Sequence, residues 1–415
     1  MEKATLIGPF KQIITMTGIP LKGAVKDSEL HIVSDGGIII TGSTITKIGD
    51  FKLLKESDKI GETITLKGNH VCVPGFIDAH THICFGGSRA KDYAMRNAGK
   101  SYLEIAHAGG GIWDTVTQTR KATQEELTKS TIKLANRHLK NGTTTIEVKS
   151  GYGLSVDEEL KMLRAIKEAN ITAMPDLIPT CLAAHMLPKD FQGTETAYLS
   201  EIAERLFPIL KSEKLANRID AFIEESAFSA EDIKDYFNTA SAMQFDITVH
   251  ADQFTPAGSK VAVDYKALSA DHLEASTENE IAILANSDTI AVALPGASIG
   301  LGCDFTPARK LLDAGAALAI ASDHNPGSAP MGDLLTQASI LGTFQKLTNA
   351  EVLSGITFRA AAALNLSDRG KLEEGLLADF AVFHSDNYQD ILYNQGNLKP
   401  CMVWKDGNLV YDKHN

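Results

Sequence analysis

The sequence predicts an α/β fold: a (β/α)8, TIM-like barrel with a small β-sandwich formed by the N- and C-terminal segments. Three observations carry this prediction. Strand-like apolar runs recur eight times in the centre of the chain, with amphipathic helical stretches between them. That is the alternation of such a barrel, which needs roughly 250 residues. The two ends of the chain are β-rich without the alternation. Several central runs also end on a polar or ionisable residue and lead into loops rich in Gly and Pro.

Taken in order, residues 1–70 read as short strands and turns. "HIVSDGGIIITGSTITKIGD" alternates β-branched residues with Gly, Ser and Asp. The eight central runs are 75–82, 143–150, 175–185, 218–226, 245–252, 267–274, 289–297 and 317–325. Helix candidates between them include 124–140 and 196–214. Residues 371–415 return to strand character, and Asp406-Gly407 between two apolar runs signals a hairpin. The expected division is a composite β unit, 1–70 with 371–415, and a barrel over 71–370.

Composition bounds the function. The chain has 415 residues, 44% hydrophobic and 22% charged, an ordinary globular balance. A net charge of −12 without a basic block argues against nucleic acid or an anionic membrane as partner. Cys72, Cys84, Cys181, Cys303 and Cys401 are scattered and none forms a CxxC. No signal peptide is recognisable, and no run reaches the roughly 18–20 apolar residues of a membrane helix. A soluble, cytoplasmic protein is expected.

The chemistry begins at "PGFIDAHTH". His80 and His82, two apart at the end of the first run, point to one face. Alone, that pair also fits two packed core histidines. His250 ends the fifth run, His272 the sixth and Asp323 the eighth, all at the barrel end where active sites form. His80, His82, His250 and Asp323 make a ligand set for a divalent metal such as zinc, leaving a position for water. His272 is then the spare group, suited to hydrogen bonding or proton transfer. His324, next to Asp323, falls on the opposite strand face and reads as structural.

Longer stretches are more specific: "HTHICFGGSRAKDY", "SYLEIAHAGGGIWDTVTQTR", "TTTIEVKSGYGL", "LAAHMLP", "HADQF" and "SDHNPGS". On these the chain resembles the amidohydrolase superfamily and, within it, the imidazolonepropionase family, over essentially its whole length. The resemblance implies hydrolysis of the ring C–N amide bond of 4-imidazolone-5-propanoate to N-formimidoyl-L-glutamate, in histidine degradation. It implies that Arg89 holds the substrate carboxylate. Tyr152 would bind substrate, and His185 would contact the ring or polarise the scissile carbonyl. Asn325, Gly327 and Ser328 would make further contacts, the turn exposing backbone donors. A homodimer is also what the family suggests.

Two departures sharpen the expectation. Deaminases of the superfamily place a proton-shuttling glutamate three residues after the fifth-strand histidine. Here Gln253 stands there, and an amide can only hydrogen-bond. A deaminase or another cyclic amidase acting on a nitrogen heterocycle stays as the alternative. Binuclear members carry a bridging lysine at the end of the fourth strand, and 218–226 has none. Lys149, two residues from Glu147 on the second strand, reads as half of an ion pair inside the barrel. One metal is expected, zinc or iron. In the expected mechanism, water activated by the metal passes a proton to Asp323 or His272 and attacks the ring carbonyl.

Overall fold

The computed structural model describes residues 3–413 apart from 57–59 and 226. Eight parallel strands form the central sheet: β1 (Phe76–Asp78), β2 (Thr143–Lys149), β3 (Asp176–Ala184), β4 (Arg218–Ile223), β5 (Asp246–Ala251), β6 (Ser269–His272), β7 (Ile290–Ala293) and β8 (Leu318–Ile320). Each pairs with its sequence neighbour. Every predicted run contains one of them. Ser226, at the end of the fourth run, lies outside the described residues. The predicted helices appear as Gln124–Lys140 and Glu195–Glu213. The first starts at Thr123, whose hydroxyl accepts from Glu126 N while the Glu126 carboxylate reaches back to Thr123 N.

β1 stops short of the histidines it was expected to carry. Regular pairing ends at Asp78, and residues 79–82 run on toward the other side of the seam between β1 and β8. There His82 N donates to His324 O at 2.9 Å, Asp323 N donates to His80 O at 3.0 Å, and Thr81 bridges His324. The barrel therefore closes through the segments that bear three of the predicted metal ligands.

The terminal strands are Ala4–Ile14, Ile32–Thr41, Thr44–Asp50, Ile60–Thr65, His70–Pro74, Phe380–His384, Met402–Lys405 and Asn408–Asp412, joined in one hydrogen-bonded sheet. The sheet curls back on itself, since Thr44 near one edge bridges Leu377 just before Phe380–His384. Its core includes Ile7, Phe10, Ile38, Phe380 and Trp404, with the last two rings stacked 4.8 Å apart. The hairpin turns at Asp406 and Gly407, both at positive φ (50° and 75°), as a two-residue turn of this hand requires. Arg369 and Lys405 meet Asp176, at the start of β3, at 2.5 and 3.0 Å, tying this sheet to the N-terminal end of the barrel. Among the described residues no helix is long and apolar enough to cross a membrane.

Candidate active site

Strand ends bring the predicted ligands together. His80 Nε2 lies 3.2 Å from His82 Nε2, and His250 Nε2 lies 3.4 Å from His82 Nε2. Asp323 Oδ1 is 3.6 Å from His80 Nε2 and 3.5 Å from His82 Nε2. All four side chains are almost fully buried. His272 reaches the same cluster, its ring 5.7 Å from His80 and 5.4 Å from His250. Two of the five sit at positive φ, 89° for His272 and 51° for Asp323. Such backbone costs about 1–3 kcal/mol and is held where a side chain must leave the strand direction.

The other ring nitrogens explain why the Nε2 atoms converge. His80 Nδ1 donates to Asp271 Oδ2 at 2.7 Å, and His250 Nδ1 lies 3.0 Å from Asp220 Oδ2. Carboxylates accept only, so they fix the tautomer with hydrogen on Nδ1 and a lone pair on Nε2. Burial drives His80 and His82 well below 6.5 and His250 to about 3, so the rings stay neutral. Lone pairs of neutral imidazoles and a carboxylate oxygen thus gather around His80 in two overlapping triples, His80 with His82 and Asp323 and His80 with His250 and His272. That donor set fits a metal cation, and without one it is repulsive.

Beneath the cluster the barrel interior is polar. Lys149 Nζ is 2.8 Å from Glu147 Oε2, 2.8 Å from Asp220 Oδ2 and 3.6 Å from Asp271 Oδ2, all fully buried. The sequence predicts the pair with Glu147 but not the two aspartates. Burial opposes the ammonium charge, yet the three carboxylates together hold its pKa above the ordinary lysine value. Glu224 is engaged elsewhere, accepting from Phe254 N at 2.9 Å and Thr255 N at 3.1 Å, and Glu225 is exposed.

A cavity of about 610 Å³ opens over the cluster, and Arg89, Tyr152, His185, Gln253, Asn325 and Ser328 are among the residues lining it. Arg89 precedes the helix Ala90–Asn97, and its Nε donates to Asp92 Oδ2 at 2.7 Å. The same Asp92 oxygen accepts from Gly111 N at 2.8 Å, so the "AGGGI" loop and the arginine share one anchor. A Cβ on Gly327 would come 2.6 Å from Arg89 Nη1, so the turn passes close against the guanidinium. His185 Nδ1 donates to Gly151 O at 2.9 Å. Burial lowers its pKa to about 4, which leaves Nε2 as a lone pair toward the cavity side of the ring. Burial also raises the Tyr152 hydroxyl above its usual range, keeping its proton.

The turn after Asp323 differs from the expectation of exposed backbone donors. Gly327 N and Ser328 N both donate to Asn325 Oδ1, at 2.7 and 2.8 Å. Asn325 Nδ2 and Ser328 Oγ donate to Asp323 Oδ2, at 2.8 and 3.3 Å. An asparagine can bind the backbone of its own turn, and here the turn serves to orient Asp323. Burial raises Asp323 to about 6, with these donors opposing. His324 faces away, its Nδ1 2.8 Å from His138 Nε2, in the structural role expected of it.

Sequence reasoning missed Asp92, Asp220, Asp271 and Glu274, which lies 3.4 Å from His272 Nδ1. A signal was present for two of them. Asp220 and Asp271 are acidic residues inside strands that should be wholly apolar.

Residues 71–410 match the amidohydrolase family. The chain is 39% identical over 389 residues to an imidazolonepropionase of Acinetobacter baumannii (strain AB307-0294), covering 93% of this chain and 96% of the relative. It is 36% identical over 410 residues to that of Alkaliphilus oremlandii (strain OhILAs), covering 97% of each. A solved triazine hydrolase variant superposes with a TM-score of 0.77 at 17% identity, covering 99% of this chain and 95% of that one, which speaks to fold alone. The chain belongs to the amidohydrolase family and, within it, to the imidazolonepropionases.

Proposed function

We propose that the chain hydrolyses the ring C–N amide bond of 4-imidazolone-5-propanoate to N-formimidoyl-L-glutamate, a step of histidine degradation. One observation carries this reading: a convergent metal-donor set and an anchored arginine share a single cavity. His80, His82, His250 and Asp323 would hold one metal, zinc or iron. A metal held there supplies a Lewis acid that polarises the ring carbonyl and acidifies the attacking water.

The protein side chains supply the rest. Arg89, with Nε taken by Asp92, offers its terminal nitrogens to the propanoate carboxylate, a charge-assisted and orienting contact. Tyr152 keeps its proton and donates to the substrate. His185, with hydrogen on Nδ1, accepts a ring N–H at Nε2 rather than polarising the carbonyl. Gln253 hydrogen-bonds the ring, and Asn325, Gly327 and Ser328 complete the wall beside Asp323.

Proton traffic runs between Asp323 and His272. Asn325 and Ser328 hold Asp323 Oδ2 while Oδ1 faces the histidines, which fixes the carboxylate that takes the proton of the attacking water. Glu274 raises the pKa of His272 against the opposing effect of burial. His272 therefore donates to the carbonyl oxygen as charge develops and protonates the leaving nitrogen. The same reading takes 1–70 with 371–415 as one folding unit, extended to Pro74 by the strand His70–Pro74, the rest of 71–370 as the catalytic one, and the enzyme as a cytoplasmic homodimer. Product analysis tests it. Formimidoylglutamate without ammonia is the expected outcome, and ammonia release makes the enzyme a deaminase instead.

A further inference from the structure

We propose that Lys149 is a positioning residue of the metal centre, holding His80 and His250 in place through Asp271 and Asp220. The geometry is specific at the level of single atoms. Asp220 Oδ2 lies 3.0 Å from His250 Nδ1 and 2.8 Å from Lys149 Nζ. Asp271 Oδ2 lies 2.7 Å from His80 Nδ1 and 3.6 Å from the same Nζ. One ammonium on β2 thus reaches the oxygen atoms that aim two imidazoles, from β5 and from the segment that follows β1. His82 Nδ1, by contrast, has no hydrogen-bond partner among the described residues.

The lysine is itself braced. Glu147, at 2.8 Å from Nζ, accepts from Thr180 Oγ1 at 2.5 Å and faces Arg218 Nε at 3.4 Å. The set holds three carboxylates against two cations, all close to fully buried. Filling that space with apolar side chains would serve stability as well. The ionic arrangement gains its use from what stands on it, two imidazoles that cannot turn. Partners of this kind orient metal ligands, and losing one costs roughly 10–100-fold in metal affinity.

The inference rests on the reading of His80, His82, His250 and Asp323 as metal ligands, and the experiment separates the two. Metal-free full-length protein is titrated with Zn(II) against a chromophoric chelator, and the visible spectrum of the Co(II) form is recorded. Wild-type protein that binds neither ion defeats the ligand reading itself. Given wild-type binding, Lys149→Met is expected to weaken Zn(II) binding about 10–100-fold and to alter the Co(II) bands. Glu147→Gln, whose carboxylate lies within 4.8 Å of His80 but takes no hydrogen bond from an imidazole, is expected to stay within about threefold of wild type, a change of under 1 kcal/mol. Wild-type affinity and spectrum in Lys149→Met overturn the proposal. Should Lys149→Met be insoluble, the charge-balanced Glu147→Gln/Lys149→Met double variant decides. Weakened binding in the folded double variant supports the proposal. Wild-type binding there, or failure of that variant to fold as well, assigns Lys149 to folding and overturns it.

Discussion

At the residue scale, the ligand histidines and Asp323 were legible because they end apolar strands, where a buried ionisable group needs a reason. Their supports were not. Asp271 and Asp220 become meaningful only when strand register places them beside His80 and His250, and register between β1, β4, β5 and β6 is a through-space fact. Asp92 is likewise invisible as the anchor of Arg89 until the helix Ala90–Asn97 is folded. Arg89 itself makes a direct prediction. Arg89→Met removes a charge-assisted contact of about 1.5–3 kcal/mol, so KM should rise roughly 10–100-fold with kcat changed far less. Steady-state kinetics read this, and an unchanged KM removes the carboxylate role.

At the element scale, the eight strands appear in the predicted order because each run combines strand length with β-branched or apolar content and a following helix. What the runs could not give was where regular pairing stops. β1 ends at Asp78, and the histidines sit on the closure seam beyond it. That seam makes the turn 325–329 part of the site, since it orients Asp323. The helix Pro295–Leu301 buttresses the turn, and a Cβ on Gly300 would lie 1.6 Å from Ser328 O. Gly300→Ala should therefore displace the turn and lower kcat/KM at least tenfold, about 1.4 kcal/mol, while the far-UV spectrum is kept. Wild-type kinetics in that variant would mean the turn tolerates movement without effect on Asp323.

At the scale of the whole molecule, the chain stands on buried polar networks as much as on its apolar core. His138 and His324 are hydrogen-bonded to each other, and burial lowers their pKa values to about 3 and about 2. A lowered folded-state pKa means that the unfolded chain, near 6.5, takes up protons first as the pH falls. Stability is thus intact above pH 6.5 and is lost below it, by about 1.4 kcal/mol per pH unit for each such histidine. His80, His82 and His250 act with the same sign in metal-free protein. Buried Asp78 and Asp271, raised to about 7, and Asp323 and Asp379, raised to about 6, act with the opposite sign, since the folded chain protonates them first. The pair is therefore read by difference: in chelator, wild-type denaturant midpoints should fall from pH 7 to pH 5 relative to those of His138→Gln, and parallel profiles contradict the buried neutral pair. Joining of the two chain ends into one sheet was legible from their shared β character and the Asp406-Gly407 turn. The ionic seam of Arg369, Lys405 and Asp176 was not, because its members lie far apart in sequence.

The central claim is that four donors hold one metal and that this site opens the imidazolone ring. The most direct test titrates metal-free protein with Zn(II) or Fe(II) while following hydrolysis of 4-imidazolone-5-propanoate. Activity should rise in proportion to added metal and break at one equivalent per chain, with formimidoylglutamate as product. A break at two equivalents, or a fully loaded protein that leaves the substrate intact, contradicts the account.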